Sequence, residues 1–422
     1  MRSHRARFLS VGITMAATAT MLAACSSGSS GGSSNSSSTK SPILIGASIS
    51  TSGDFSADGQ AFLRGYQLWV HDVNASGGLL GRQVKLDWLP DNSTPNQVNA
   101  NYTKLISVDH VDLTFGPFSS ALTGPAETVI ARNGYAFIEG AGGSPAVFSS
   151  PGNIADHNLF DVSLPIEDTL APIAKYLAAL PAGQRPKTAA YPMADDIFGY
   201  PPVQVAQGIM SKAGIKTVYS HIFPEEPADY APAADNVAAT HADVVVLGST
   251  DVPTVAAFMK AFEQQHYVPK YFAAAAGPDQ GTDFTSAVGV GNANGMMVPN
   301  GWYPSSSNPA SQKMVAEYVA KYGGDASGVN ADIAEAYSVG QVAAQAIVAT
   351  KGTDNAKVIQ YLHSGVTLSS VQGPVTFDSL GRNGDLTAYM FQWQNGQFVQ
   401  VLPVGAPGTV KLLAPKPAWT NG

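Results

Sequence analysis

The chain has 422 residues, with 23 Lys and Arg against 31 Asp and Glu, for a formal charge of −8. Arg2, Arg5 and Arg7 fall in the leader, so the rest of the chain carries 20 basic against 31 acidic residues, or −11. No basic cluster is present, which excludes nucleic acid or an anionic lipid surface as the partner.

From the start, three arginines precede an apolar run, Phe8 to Ala24, that ends in small residues. A basic region, an apolar region and small residues before a cut describe a secretory signal over 1–24. The run is too short for a membrane span. Cys25 is the single cysteine of the chain, so a disulfide framework is excluded. Leu22-Ala23-Ala24-Cys25 resembles the bacterial lipobox. That resemblance implies a diacylated Cys25 as the first mature residue and a lipid anchor on the outer face of the cytoplasmic membrane. Two acyl chains anchor stably where one does not. Ser26 to Pro42 is Ser/Gly-rich and cannot bury a core. As a flexible coil, this part of the 25–42 linker spans roughly 20–25 Å.

The body is too large for one core and predicts two lobes. Pro42–Ile49 reads as a buried parallel strand bounded by Ser50-Thr51-Ser52-Gly53. A helix follows from Ala57 to Asn74, with Phe62, Tyr66, Trp69, Val70 and Val73 on one apolar face. Gly77-Gly78 stops it, Val84–Leu89 is a strand, and Thr94-Pro95 opens a helix to Ser107. Val111–Phe115 is a strand whose turn, Gly116 to Ser120, leads to a helix beginning near Thr123–Pro125. Tyr135–Ile138 and a second small-residue turn, Gly140–Ser144, repeat that pattern. Such turns lie at the carboxyl edge of a parallel sheet, where bare backbone N–H groups can hold an anion. Strands alternating with helices predict a doubly wound α/β sheet.

The alternation restarts after Asp161. Helices are expected over 167–180, 203–213, 230–240 and 253–264, with strands over 188–191, 217–222, 243–247 and 270–275. A strand at 296–299 leaves the second unit. Helices at 312–322, 331–350 and 355–363 come next, and strands at 387–394 and 397–403 close the chain. Their Asn395-Gly396 turn is a strong hairpin signal.

Five pieces, in order and spacing, then resemble a known family. They are Gly46 to Gly53 with Gly59, Asn74 to Arg82, Asp91 with Pro95, Gly116 through Ser119-Ser120 to Pro125-Ala126, and Gly373 through Asp378 and Gly381 to Gly384-Asp385. Together they resemble the type I periplasmic binding proteins of ABC transporters, in the leucine/isoleucine/valine-binding branch. The resemblance implies two doubly wound open-sheet lobes joined by three crossings, near 161–163, 294–299 and 373–377. Lobe 1 is expected over 43–161 plus 296–374, and lobe 2 over 162–295 plus 375–414. A small-molecule ligand is expected in the cleft between them.

Carried over position by position, the resemblance assigns Ser119, Ser120 and the Ala121 backbone to one carboxylate-holding turn, and Gly142 and Gly143 to a second. Gly143 stands where amino-acid binders carry a Thr. Phe198 matches an aromatic cover lacking the usual hydroxyl, and Thr250 falls where a Tyr is common. Ala276 replaces a Glu that takes the ligand ammonium, and Asp58 replaces an aromatic. A buried ammonium without a carboxylate costs several kcal/mol, so Asp58 or Asp332 is expected to supply the charge. The expected ligand bears a carboxylate or amide and is not an ordinary branched-chain amino acid.

An enzyme is disfavoured. The body lacks a Gly-x-Ser-x-Gly and its histidines show no metal spacing. Asp195-Asp196 and Glu225-Glu226 read as solvated surface. Neither cofactor nor metal is expected. The remaining alternatives are delivery of a solute to an ABC permease by a monomeric lipoprotein, or reporting of a solute to a membrane receptor. A sensor would ordinarily be fused to a membrane span and a signalling module, so a tethered lipoprotein suits delivery.

Overall fold

The computed structural model describes residues 41–224 and 230–420. Cys25, the leader and Glu225-Glu226 lie outside them. Strands β1 (Ile43–Ile49), β2 (Val84–Pro90), β3 (Leu113–Phe115), β4 (Phe137–Glu139) and β5 (Leu159–Asp161) form one parallel sheet in the order β2-β1-β3-β4-β5. The second sheet contains β6 (Thr188–Ala194), β7 (Lys216–Phe223), β8 (Val244–Leu247), β9 (Tyr271–Ala274) and β10 (Met296–Asn300). Their order, β7-β6-β8-β9-β10, repeats that of the first sheet. Both sheets are doubly wound, and in such sheets ligands bind outside the carboxyl ends of the strands. A short hairpin, β11 (Leu368–Ser370) with β12 (Gly373–Val375), stands apart. The closing hairpin, β13 (Tyr389–Gln394) with β14 (Gln397–Leu402), extends the second sheet antiparallel beyond β10. Its turn, Asn395-Gly396, has both residues at positive φ, as the dipeptide predicts.

The first sheet shares one core with the Ser56–Ala75 and Ala331–Thr350 helices. These two helices touch backbone to side chain. A Cβ on Gly65 would lie 2.5 Å from the carbonyl oxygen of Ile333, and one on Gly340 would lie 2.1 Å from the Trp69 ring. Glycine is required at both places because the helices leave no room for more. The aromatic face read from the sequence is buried, with Trp69 against Gly340 of the second helix and Phe62 and Tyr66 packed on Phe118 and Phe115.

Several expected boundaries move. The strand at Met296–Asn300 does not leave the second sheet; it sits inside it between β9 and β13. The second crossing therefore comes after Asn300, since Trp302 already packs in the first core. Phe377 also packs in the first core, and Asp161 N–H donates to the Gly381 carbonyl, so the third crossing falls later than 373–377. The tail runs past 414, with Trp419 in the core of the second sheet. The helix expected from Thr123–Pro125 starts at Ser120 and contains Pro125. The 167–180 helix divides into a short 3-10 turn, Ile166–Asp168, and Ala171–Ala179. Strand β5 and the helices Pro145–Phe148, Pro151–Asp156 and Gly281–Val288 were not anticipated, being short and weakly periodic. No helix among the described residues is long and apolar enough to cross a membrane.

Candidate functional site

A cavity of about 630 Å³, its open mouth included, lies where the carboxyl ends of the two sheets face each other. Segments following β1, β3, β4, β5, β6, β9 and β10 reach its wall. After β1 comes Asp58, in the first turn of the Ser56–Ala75 helix. Phe118 and Ser119 come after β3, Gly140, Ala141 and Gly143 after β4, and Ser163 after β5. From the second sheet come Phe198 after β6, Ala275, Ala276 and Asp279 after β9, and Asn300 ending β10. The first turns of the Ala331–Thr350 helix add Asp332 and Glu335. Asn330 caps that helix by accepting from Ile333 N–H at 3.2 Å.

Of the residues expected from sequence, Asp58, Ser119, Gly143, Phe198, Ala276 and Asp332 line this cavity. The other four stand behind it. The Ser120 hydroxyl accepts from Ser144 N–H at 3.3 Å and donates to the Ala141 carbonyl at 3.5 Å, so it ties two turns together. Ala121 is half-buried one position further into its helix and does not reach the wall. Thr250 is buried and does not reach the wall.

Gly142 is the most informative of the four. Its N–H and that of Ala141 both point at one oxygen of Glu139, at 2.5 and 2.7 Å. Of the two glycines expected to form a carboxylate-holding turn, Gly142 thus gives its amide, together with that of Ala141, to a carboxyl of the chain. A Cβ on Gly142 would sit 2.6 Å from the other Glu139 oxygen, so glycine is what allows this approach. At Gly143 a Cβ would lie 2.7 Å from Ile166, which is why the Thr of amino-acid binders does not fit without Ile166 moving.

Glu139 is held against Asp161, its register neighbour on β5. Burial first, and then the Asp161 charge, push the Glu139 carboxyl well above the usual range. Burial raises Asp161 to about 7, although Ser163 donates to it from both hydroxyl and N–H at 2.7 Å. Two buried carboxyls in contact cannot both ionise cheaply, so one proton stays with the pair.

The cavity wall repeats this on a larger scale. Asp332 is raised to about 8 by burial and by Asp279, while Gln280 donates to it at 2.7 Å. Burial raises Asp279 to about 6. Asp58 and Glu335 are raised well above the usual carboxylate range, by burial first and then by their acidic neighbours. Lys, Arg and His are absent from the lining. Among the described residues, no three His, Cys, Asp or Glu are placed to hold a metal ion.

The two halves meet directly beside the cavity. Gln280 of the second half bonds Asp332 and accepts from Asn330 Nδ2 at 3.1 Å, both of the first half. Across the mouth, the Ser144 hydroxyl donates to the Ile197 carbonyl at 2.6 Å. Asp196 is not the solvated residue expected. It is buried and accepts from Phe198 and Gly199 N–H at 2.6 and 3.2 Å, fixing the loop that presents Phe198.

Asp279, Glu335 and Asn300 escaped the sequence reading. Glu335 had a usable signal, lying three residues after Asp332 and hence on the same helix face. Asp279 comes after a Gly-Pro turn and had none.

A family model described as periplasmic binding protein matches residues 42–397. A Leu/Ile/Val-binding protein homolog 7 from Brucella melitensis is 25% identical over 374 residues, spanning 86% of this chain and 92% of the relative. A leucine-binding protein from Thermotoga maritima superposes with a TM-score of 0.75 at 17% identity, covering 85% of this chain and 97% of that one. An isoleucine complex of a branched-chain amino acid binding protein from Streptococcus pneumoniae gives 0.72 at 18% identity, with 89% and 100% covered. A benzoate complex of a solute-binding protein from R. palustris gives 0.72 at 17% identity, with 89% and 98% covered.

Proposed function

Since this chain belongs to the periplasmic binding protein family, type I, we propose that it captures a small solute between its lobes and delivers it to an ABC permease. The observation that carries this reading is the cavity itself, walled by the carboxyl-end segments of both sheets and bridged by Gln280, Asp332 and Ser144. A solute touching both walls stabilises the shut arrangement by its differential affinity, whereas one touching a single wall shifts nothing. The residues assigned to contact it are Asp58, Ser119, Gly143, Phe198, Ala276 and Asp332, joined by Asp279 and Glu335. Relatives bound to isoleucine and to benzoate establish how varied the solutes of this fold are, so the ligand is inferred from the wall chemistry of this chain.

Export and attachment through Cys25 complete the proposal. The tether would hold a monomeric body near its permease and raise its local concentration. Energy for transport would be spent by other subunits. Two measurements test this together: native mass spectrometry of protein gently purified from its host, and small-angle scattering before and after that solute is removed. A smaller radius with the solute and loss of its uptake on gene deletion are expected. Identical compactness with and without it, or unchanged uptake, would refute capture and delivery.

A further inference from the structure

Resting on the capture reading, the wall chemistry also fixes the charge of the solute. Asp58, Asp332 and Glu335 face the cavity from one half and Asp279 from the other, with no basic side chain among the lining residues. Glu139 and Asp161 stand directly behind, and Asp251 lies close enough to act on Asp58. An acidic cluster alone could be an incidental feature. Two side chains say otherwise. Asp58 is 1% exposed, and no donor from another residue reaches either of its oxygens. The Ser119 hydroxyl is also 1% exposed and without a partner, yet it lines the same cavity. Buried polar groups left this way cost free energy unless something supplies the missing bonds.

We propose that the solute is an organic cation of net positive charge, whose ammonium or guanidinium N–H groups bond Asp58 and Asp332 of one lobe and Asp279 of the other. Carboxylates need donors, and a protonated amine or guanidine supplies three to five of them. Phe118 and Phe198 enter the cavity from opposite halves, and their ring faces favour a cation over an anion. A zwitterionic amino acid would leave the wall's acids largely uncompensated. A simple carboxylate would meet like charge, with the Ala141–Gly142 amides already taken by Glu139. The same groups favour closure around a cation: it draws protons from Asp58 and Asp332, and the resulting carboxylates and Asp279 are attracted to it from both sides.

The test is calorimetric titration of the full chain in mild detergent with arginine, agmatine and putrescine, against leucine, benzoate and Mg²⁺. At pH 8 at least one of the three cations is expected to bind about 100-fold more tightly than leucine or benzoate. Its binding should release protons, weaken towards pH 5.5, and shrink the radius measured by scattering. Asp58→Asn, which keeps the side-chain shape, should weaken that cation by about tenfold or more while the protein still melts cooperatively. Arginine against agmatine separates a cation that keeps a carboxylate from one that has none. Leucine or benzoate binding more tightly than every cation, or Mg²⁺ giving the same compaction, would overturn the charge class and leave capture standing. Failure of all three cations to bind below about 1 mM would overturn it as well. No compaction with any solute, including host-derived material, would instead refute capture itself.

Discussion

Raising the pH from 6 to 8 should destabilise the unliganded protein, a range in which proteins are ordinarily near their most stable. Asp332 holds its proton up to about 8, Asp161 up to about 7, and Asp279 and Asp251 up to about 6, each from an ordinary 3.8. Below pH 4 the folded and unfolded chains both bind these protons, and their contribution is fully present. Between 4 and the folded value only the folded chain keeps them, so stability falls by about 1.4 kcal/mol per pH unit for each proton. From pH 6 to 7, Asp332 and Asp161 together make that loss about 2 kcal/mol, and from 7 to 8 Asp332 alone contributes about 1 kcal/mol. Asp58, Glu139 and Glu335 are raised in the same direction and add to it. The groups that oppose this act elsewhere. Asp243, Asp325 and Asp378 are lowered and titrate below pH 4. Lys416 is pushed down to about 8 by burial, so it restores stability only above that pH. Against a total of about 5–15 kcal/mol, such a loss is large. Urea titrations at fixed ionic strength between pH 5 and 8 measure it, and Asp332→Asn should flatten the slope by about 1.4 kcal/mol per unit. Stability that stays level or climbs over that interval would refute the reasoning.

Glu139→Ala should cost about 1–3 kcal/mol, because the N–H groups of Ala141 and Gly142 lose their acceptor, whereas Glu139→Gln keeps an acceptor and should cost less; denaturant midpoints compare them. Gly340→Leu should destabilise by about 1–3 kcal/mol or more, since its Cβ alone would meet the Trp69 ring at 2.1 Å and force the two long helices apart; a lowered melting temperature reports it. Cys25→Ser should move the protein from the membrane pellet to the soluble fraction of its host, because anchoring by two acyl chains is lost; unchanged fractionation would contradict the anchor.

The frame was legible because its residues recur with a period. Buried strands such as Ile43–Ile49, the Phe62–Tyr66–Trp69 face and the Asn395-Gly396 turn each carry a local signal, and each lies where that signal puts it. Met296–Asn300 misled because an apolar run marks a buried strand without saying which neighbours it takes. Its place between β9 and β13 depends on pairing with β13, far along the chain. Pro125 misled for a different reason. Proline is cheapest in a first helical turn, but Leu122 and Thr123 N–H groups bonded to the Ser119 carbonyl already start the helix earlier.

The cavity's charge was legible only in part, and the reason is geometric. Asp58 could be singled out as a departure from a familiar pattern and Asp332 as an acid opening a helix, but each looked like a single replacement for the acid missing at Ala276. What the sequence does not display is that β1, β4, β5 and β9 all end at one place, so the acids at or beyond their ends add to the same field. Segments beyond strand ends carry no periodicity, and the sheets do not depend on their composition. A fold can therefore keep its frame while reversing the charge of its cleft. Glu139 makes the point within one residue: ending β4, it fills the amides that would otherwise welcome an anion and adds its own burial-raised acid behind the wall. One carboxyl thus removes a place for a negative ligand and strengthens the demand for a positive one.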